Sequence, residues 1–300
     1  MYNKTFLVDT NIMKGVFFVI NSFCIKNNQN FILDYLLEQL QQTDLDGIYL
    51  SKNQFKNYKN IIIHSTEKCC QTDSIFHIAS SLSNTILTVY EPQILKKIIY
   101  SNYFYFSDIE KKHILDEVIK ILNTSPKDIL SRRKIVFSAF ESYLKENRTI
   151  NLDGFINFRL KEYKSELDDA VDLAVDKFII EKEYNEFISL LKLYIASKED
   201  SMPEVHLIYN NHEAILLDEH HNKINTYDHI FDAKYLSDIS FSSNDYALNA
   251  ILDIVPQKLY IHLMNSEEDE FITTLKLIFE NRICICHSCP ICDIYNLRFM

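Results

Sequence analysis

Asn151-Leu-Asp-Gly-Phe-Ile-Asn-Phe-Arg-Leu-Lys-Glu-Tyr163, continued by Asp169-Ala-Val-Asp-Leu-Ala-Val-Asp-Lys-Phe178, decides how this chain is read. Leu152, Ile156, Leu160, Tyr163, Leu167, Val171, Ala174 and Phe178 recur at steps of three or four, which gathers them on one side of a helix. Asn151 is placed to cap the first turn, Asp153 suits the positive end of the helix dipole, and a single Gly154 is tolerated there. The spacing predicts one long amphipathic helix, with Phe155, Leu167, Val171 and Phe178 facing a core. A second helix is predicted through Tyr184, Phe187, Ile188, Leu191 and Ile195. Asp168, Asp172 and Asp176 form an outward ridge on the first helix. One acidic stripe supplies few of the oxygens a calcium ion takes, so the ridge reads as a solvated face.

Working outward, Pro92 and Pro203 fall where the hydrophobic pattern changes, and they divide the chain into regions 1–91, 92–202 and 203–300. In the first region, strand-like runs Val16 to Ile25, Gly47 to Leu50 and Asn60 to His64 alternate with helical runs at Phe31 to Leu40 and Ile75 to Val89. This predicts a small α/β region. The middle region carries helical spacing in Ile94 to Phe104, Ile109 to Leu122 and Ile135 to Leu144, and reads as a helical centre. Past Pro203 the period drops to two: Val205 to Tyr209, Ala214 to Leu217 and Lys223 to Tyr227 suggest a β-meander. Asn244 to Ile254, Lys258 to Leu263, Glu268 to Phe279 and Arg282 to Cys286 then read as helix, strand, helix and strand. The expected class is α+β, with a mixed α/β C-terminal region that ends in cysteines.

Composition narrows the chemistry. The 300 residues are 47% hydrophobic, ample for a sizeable core, and carry a formal net charge of −11. That charge argues against a general affinity for nucleic acid or anionic membranes, both of which need clustered Lys and Arg. Arg132-Arg133-Lys134 is a local exception and reads as the solvated start of a segment. Only three glycines occur, Gly15, Gly47 and Gly154, too far apart for the glycine-rich phosphate loops. GxSxG and HExxH motifs are absent as well. Val16-Phe-Phe-Val-Ile20 is too short to span a membrane, and no secretory signal is recognisable, so the expected location is the cytosol. There the cysteines are expected as thiols or metal ligands.

The strongest candidate site is Cys284-Ile-Cys286-His287-Ser-Cys289-Pro-Ile-Cys292, in which two CxxC spacings overlap. Thiolates are soft ligands that suit zinc or an iron–sulfur cluster, and CxxC lets two sulfurs reach one ion. Cys284, Cys286, His287, Cys289 and Cys292 are therefore the candidate metal ligands. Because they are contiguous, adjacent strands must bring Cys284 back, or the site must be completed from elsewhere. Reactive thiols and a chemically idle tail are the alternatives. Cys69-Cys70 is a weaker pair, since vicinal cysteines coordinate one metal poorly. His206, His212, His220, His221 and His229 cluster with Glu213, Asp218, Glu219 and Asp228, but His220 and His221 occupy one predicted turn and His212 another, which favours solvated loops over a metal site. Thr5-Phe-Leu-Val-Asp9-Thr-Asn11 resembles the opening of PIN-domain ribonucleases, with Asp9 as the metal ligand. The strand-like Gly15 to Ile25 stands where that family has a helix, and no later acidic residue matches.

The central block, with Glu181-Lys-Glu-Tyr-Asn-Glu-Phe-Ile-Ser-Leu-Leu191 after it, resembles the YtxC-like family of sporulation proteins, and the resemblance extends from about residue 75 to Asn281-Arg-Ile-Cys-Ile-Cys-His-Ser-Cys-Pro-Ile-Cys292. It implies a role in endospore formation, through binding or regulation of a protein partner. The competing expectation is a metal- or thiol-dependent enzyme centred on Cys286, Cys289 and Cys292.

Overall fold

The computed structural model describes residues 18–26, 30–42, 48–55, 58–65, 71–199, 202–226, 242–264, 267–286 and 288–299. Asp9, Asn11, Gly15, Gly47, Cys69, Cys70, Asp228, His229 and His287 lie outside them. The chain forms two compact units, Met1–Ile179 and Ile180–Met300.

In the first unit, strands β1 (Phe18–Lys26), β2 (Ile48–Phe55), β3 (Tyr58–Ser65) and β4 (Thr149–Asn151) make a sheet in the order β2-β3-β1-β4. The β1–β3 and β2–β3 pairs are antiparallel, whereas the short β4 joins β1 in parallel. Helix α1 (Asn30–Gln41) buries Ile32, Leu33, Leu36, Leu37 and Leu40, an i, i+3/i+4 stripe in keeping with its spacing. Helix α2 (Gln71–Thr85) runs through a π-helical turn at Ile86–Tyr90 into α3 (Glu91–Asn102). Pro92 follows directly on the π-helical turn, in which the Glu91 N–H reaches the Ile86 carbonyl, so helical structure passes through the position that the pattern marks as a boundary. Residues on both sides of it share one core, from Ile32 to Val175.

Helices α4 (Asp108–Thr124) and α5 (Pro126–Glu146) complete the helical layer. Ser107 and Glu110 form a reciprocal capping box at the start of α4. Asn151 caps α6 (Leu152–Phe158) by accepting the Gly154 N–H at 2.9 Å, as its position predicts. Phe155 on α6 stacks on Phe140 of α5, with ring centroids 4.3 Å apart. Here the structure departs from the single helix that the spacing suggests: α6 stops at Phe158, and α7 begins at Lys161. Leu160, in the break, is itself buried, and the apolar phase resumes with Tyr163, Leu167, Val171 and Ala174 all in the core.

A second departure lies further on. The helix expected separately at Tyr184 to Ile195 is continuous with the first, giving α7 the span Lys161–Ser197, 37 residues. No Gly or Pro occurs in Ile179-Ile-Glu-Lys-Glu183 to interrupt it. Arg132 also differs from the solvated reading. Its side chain is 6% exposed, its Nη1 donates to the Leu122 carbonyl at 2.9 Å, and its Nε lies 3.7 Å from Glu91. Glu91 in turn accepts the hydroxyl hydrogen of the buried Tyr163 at 2.6 Å.

The second unit is a sheet in the order β6-β5-β7-β8, formed by β5 (Met202–Asn210), β6 (Glu213–Leu217), β7 (Pro256–Leu263) and β8 (Ile283–Cys286). The β5–β6 pair is a hairpin whose two-residue loop places Asn211 and His212 at positive φ, the geometry of a tight turn that follows strand twist. The run from Lys223, predicted as a third meander strand, contributes a single bridge to Leu217 among the described residues. The sheet instead grows in the other direction, through the parallel pairs β5–β7 and β7–β8. Parallel neighbours need crossovers. Helices α8 (Ser243–Ile254) and α9 (Glu270–Phe279) supply them and pack on Val205, Leu207, Tyr209, Leu259 and Ile261. The opposite face carries Ile208, Leu217 and Met264, together with Cys292 of α10 (Pro290–Phe299). Among the described residues, no helix is long and apolar enough to cross a membrane.

Candidate metal centre

The parallel register builds the site. It aligns Ile208 with His262 and His262 with Cys286, and one row earlier His206 with Tyr260 and Tyr260 with Cys284. Side chains alternate across a strand, so these rows leave the sheet on the face opposite α8 and α9. Beyond Cys286 the chain turns, and α10 carries Cys292 back over that face, with Cys289 just before the helix. The Cys289 carbonyl accepts the Asp293 N–H at 3.2 Å, which fixes this turn.

Four ligand atoms meet there. His262, Cys286, Cys289 and Cys292 place one nitrogen and three sulfurs within 4.8 Å of one another. Sγ of Cys292 lies 3.6 Å from that of Cys289 and 3.8 Å from that of Cys286. Nδ1 of His262 lies 3.4 Å from Cys292 Sγ and 3.5 Å from Cys289 Sγ. A tetrahedral zinc ion, with sulfurs at about 2.3 Å and nitrogen at about 2.0–2.1 Å, sets sulfurs about 3.8 Å apart and nitrogen about 3.5 Å from each sulfur. The four distances above match those dimensions, and the two remaining pairs lie within 4.8 Å. An iron–sulfur cluster distributes its four protein ligands over two or four irons, which requires a wider spread of ligand atoms than one ion does.

Of the described sequence-predicted ligands, Cys284 alone stays outside the group. Cys284 lies two residues before Cys286 on the same strand face, a step of roughly 6.6 Å, beyond the reach of one ion's ligand shell. It is not part of the four-atom group. His287 lies outside the described residues. His262, which the sequence reading missed, takes the fourth corner. The contiguous cysteines signalled that the set needed completion from elsewhere unless Cys284 came back, and pointed to no residue that would supply it.

His262 is held from behind. Its Nε2 lies 3.0 Å from Nδ1 of His206, and the His206 ring stacks on Tyr260 with centroids 4.9 Å apart. With a metal on Nδ1, the Nε2–H of His262 donates to His206, which fixes the ring and its tautomer. Burial, reinforced by the charges of His206 and His221, pushes the His262 pKa down to about 4, so the ring is neutral and free to ligate at physiological pH. Burial likewise pushes the Cys292 thiol up to about 12, with Cys289 and Cys286 adding to it. Burial alone would raise Cys289 as well, yet the backbone N–H of Cys292, its neighbouring thiols and the Ile291 N–H hold it below the usual thiol range. A divalent cation would invert this order by deprotonating all three.

The other candidates resolve more simply. His212 and His221 sit in turns at positive φ, and His220 is exposed, as the loop reading expects; His206 lies inside β5 and is buried. Asp172 accepts a hydrogen bond from the Tyr103 hydroxyl, and the ridge Asp168, Asp172, Asp176 forms no metal-competent group among the described residues.

Comparison with known proteins places the chain. The uncharacterised protein YtxC of Bacillus subtilis (strain 168) is 21% identical over 199 residues, which cover 64% of this chain and 70% of that protein. No solved structure matches. The sequence model of the YtxC-like family matches residues 76–284, a span that includes His262 and stops before Cys286. A match over that much of the sequence, centred on the helical block, means that this chain belongs to the YtxC-like family.

Proposed function

We propose that this protein is a binding component of endospore formation whose C-terminal unit is organised around one zinc ion held by His262, Cys286, Cys289 and Cys292. The mutual distances of these four atoms carry the metal reading. Four protein ligands complete a tetrahedral shell and leave no open position for substrate, which favours a structural role over a catalytic one. The ion would clamp α10 to the ends of β7 and β8, where, among the described residues, Ile208, Leu217 and Met264 with the half-buried Ile215, Ile291 and Tyr295 make a small apolar contact. A reduced cytosolic setting suits such a thiolate site. The acidic net charge of −11 favours a protein partner over nucleic acid.

The link to spores rests on family membership. Deleting the gene in an endospore-forming host is expected to leave vegetative growth near normal and to lower heat-resistant counts; a growth defect with unaffected spores would remove the assignment. Metal content tests the site independently. Protein purified under reducing conditions without chelator is expected to contain one zinc per chain by elemental analysis, and metal-free protein whose melting ignores chelators would refute it.

A further inference from the structure

We propose that Cys289 and Cys292 form a metal-guarded dithiol that exchanges with low-molecular-weight disulfides. This rests on the same site and deepens the zinc reading. Cys289-Pro-Ile-Cys292 is a CxxC sequence wrapped around the start of α10, and such dithiols serve exchange when one sulfur is reachable and the other is shielded. Here Cys289 is partly exposed, Cys292 is buried at 8%, and their sulfurs are 3.6 Å apart. Cys289 is also the cysteine of the group that immediately precedes α10, with Cys292 in the first turn of that helix. Cys286, by contrast, is fixed in a strand and offers Cys292 a competing contact at 3.8 Å.

The chemistry balances without further partners. The Cys289 thiolate attacks one sulfur of R–S–S–R; the S–S bond breaks, one R–S⁻ departs with the bonding pair, and a mixed disulfide remains. With zinc bound, Cys292 is already a thiolate and, on leaving the ion, attacks Cys289 Sγ and expels the second R–S⁻; in the zinc-free chain it first gives its proton to water. Both departing thiolates take up protons. The external disulfide gains two electrons, the protein loses two, and the new bond joins Cys289 to Cys292. Two of four ligands are then spent, so the ion leaves.

The test uses the full chain loaded with zinc and treated with oxidised glutathione, followed by a zinc-responsive dye and by peptide mapping. One zinc released for each Cys289–Cys292 bond formed is the expected result. Cys292→Ser should stop at the glutathione mixed disulfide on Cys289, Cys289→Ser should abolish the reaction, and Cys284→Ser, outside the four-ligand group, should still form the same bond. A bond mapped to Cys286–Cys292, or to Cys284, would overturn the proposal. Zinc-stripped protein separates the two readings: if purified protein never holds zinc yet forms the bond, the metal reading fails and exchange stands. If zinc binds and the stripped chain stays inert, exchange fails and the metal reading stands.

Discussion

Nδ1 of His262 lies 3.4 Å from Sγ of Cys292, although one belongs to a central strand and the other to the C-terminal helix. This contact makes the last helix part of the sheet's chemistry, and it sets the first prediction. His262→Ala should lose tight zinc binding, whereas His206→Ala, which removes only the group behind the ligand, should weaken it roughly 10–100-fold. Cys284→Ser should keep one zinc per chain. Competition against a chromophoric chelator measures all three, and equal affinity for His262→Ala and the parent would remove His262 from the site.

The buried pair Arg132 and Glu91 gives a second prediction. Their side chains are 6% and 12% exposed, and Glu91 also serves Tyr163. Removing one charge leaves the other buried and unpaired, so Glu91→Leu should cost about 3–5 kcal/mol in urea unfolding. The double change Glu91→Leu with Arg132→Met should recover much of that loss. A double variant as unstable as the single one would show that the ion pair is not the source.

On α7, Val171 is fully buried, while its neighbour Asp172 is exposed and accepts from Tyr103. Val171→Asp places a carboxylate in the core and should cost at least about 3 kcal/mol, leaving little soluble protein. Asp172→Asn keeps an acceptor for the tyrosine and should melt close to the parent. Thermal scans of both decide whether the helix phase is right.

Acid stability tests Asp269, which caps α9. Burial would raise its carboxyl, but hydrogen bonds from Tyr209, the Ile272 N–H and His212 hold it below the usual carboxylate range. A carboxyl depressed by folding stabilises above its unfolded pKa of about 3.9, and that contribution is lost as pH falls through the folded value. Asp269→Asn retains the cap but not the charge. Its deficit should be about 1 kcal/mol or less at pH 7, given the partial exposure, and should vanish in strong acid. A deficit unchanged with pH would assign the effect to the cap and not to ionisation.

Much of this architecture was legible in the residues themselves. Leu152, Phe155, Ile156, Leu160, Tyr163, Leu167, Val171 and Ala174 are all buried, because a helix side repeats every three to four residues whatever it packs against. The strands at Val205, Ala214 and Lys258 were readable for the same local reason, with a period of two. The break at Arg159-Leu160 was not, since it interrupts the helix while keeping the apolar phase, and no Gly or Pro marks it.

The cysteine spacing by itself marked Cys286, Cys289 and Cys292, because CxxC brings sulfurs together through local geometry alone. His262 was decided only by tertiary structure. Nothing in Lys258 to Leu263 distinguishes a ligand from any other strand histidine. It faces the sulfurs because β7 and β8 pair in parallel with His262 opposite Cys286, and that register is set by the crossover through α9 and by burial of Leu259 and Ile261 on the other face. The same register lifts Cys284 a full pleat away. Local spacing therefore supplied three of the four ligand atoms that meet, and strand pairing, which depends on residues far apart in the chain, supplied the fourth.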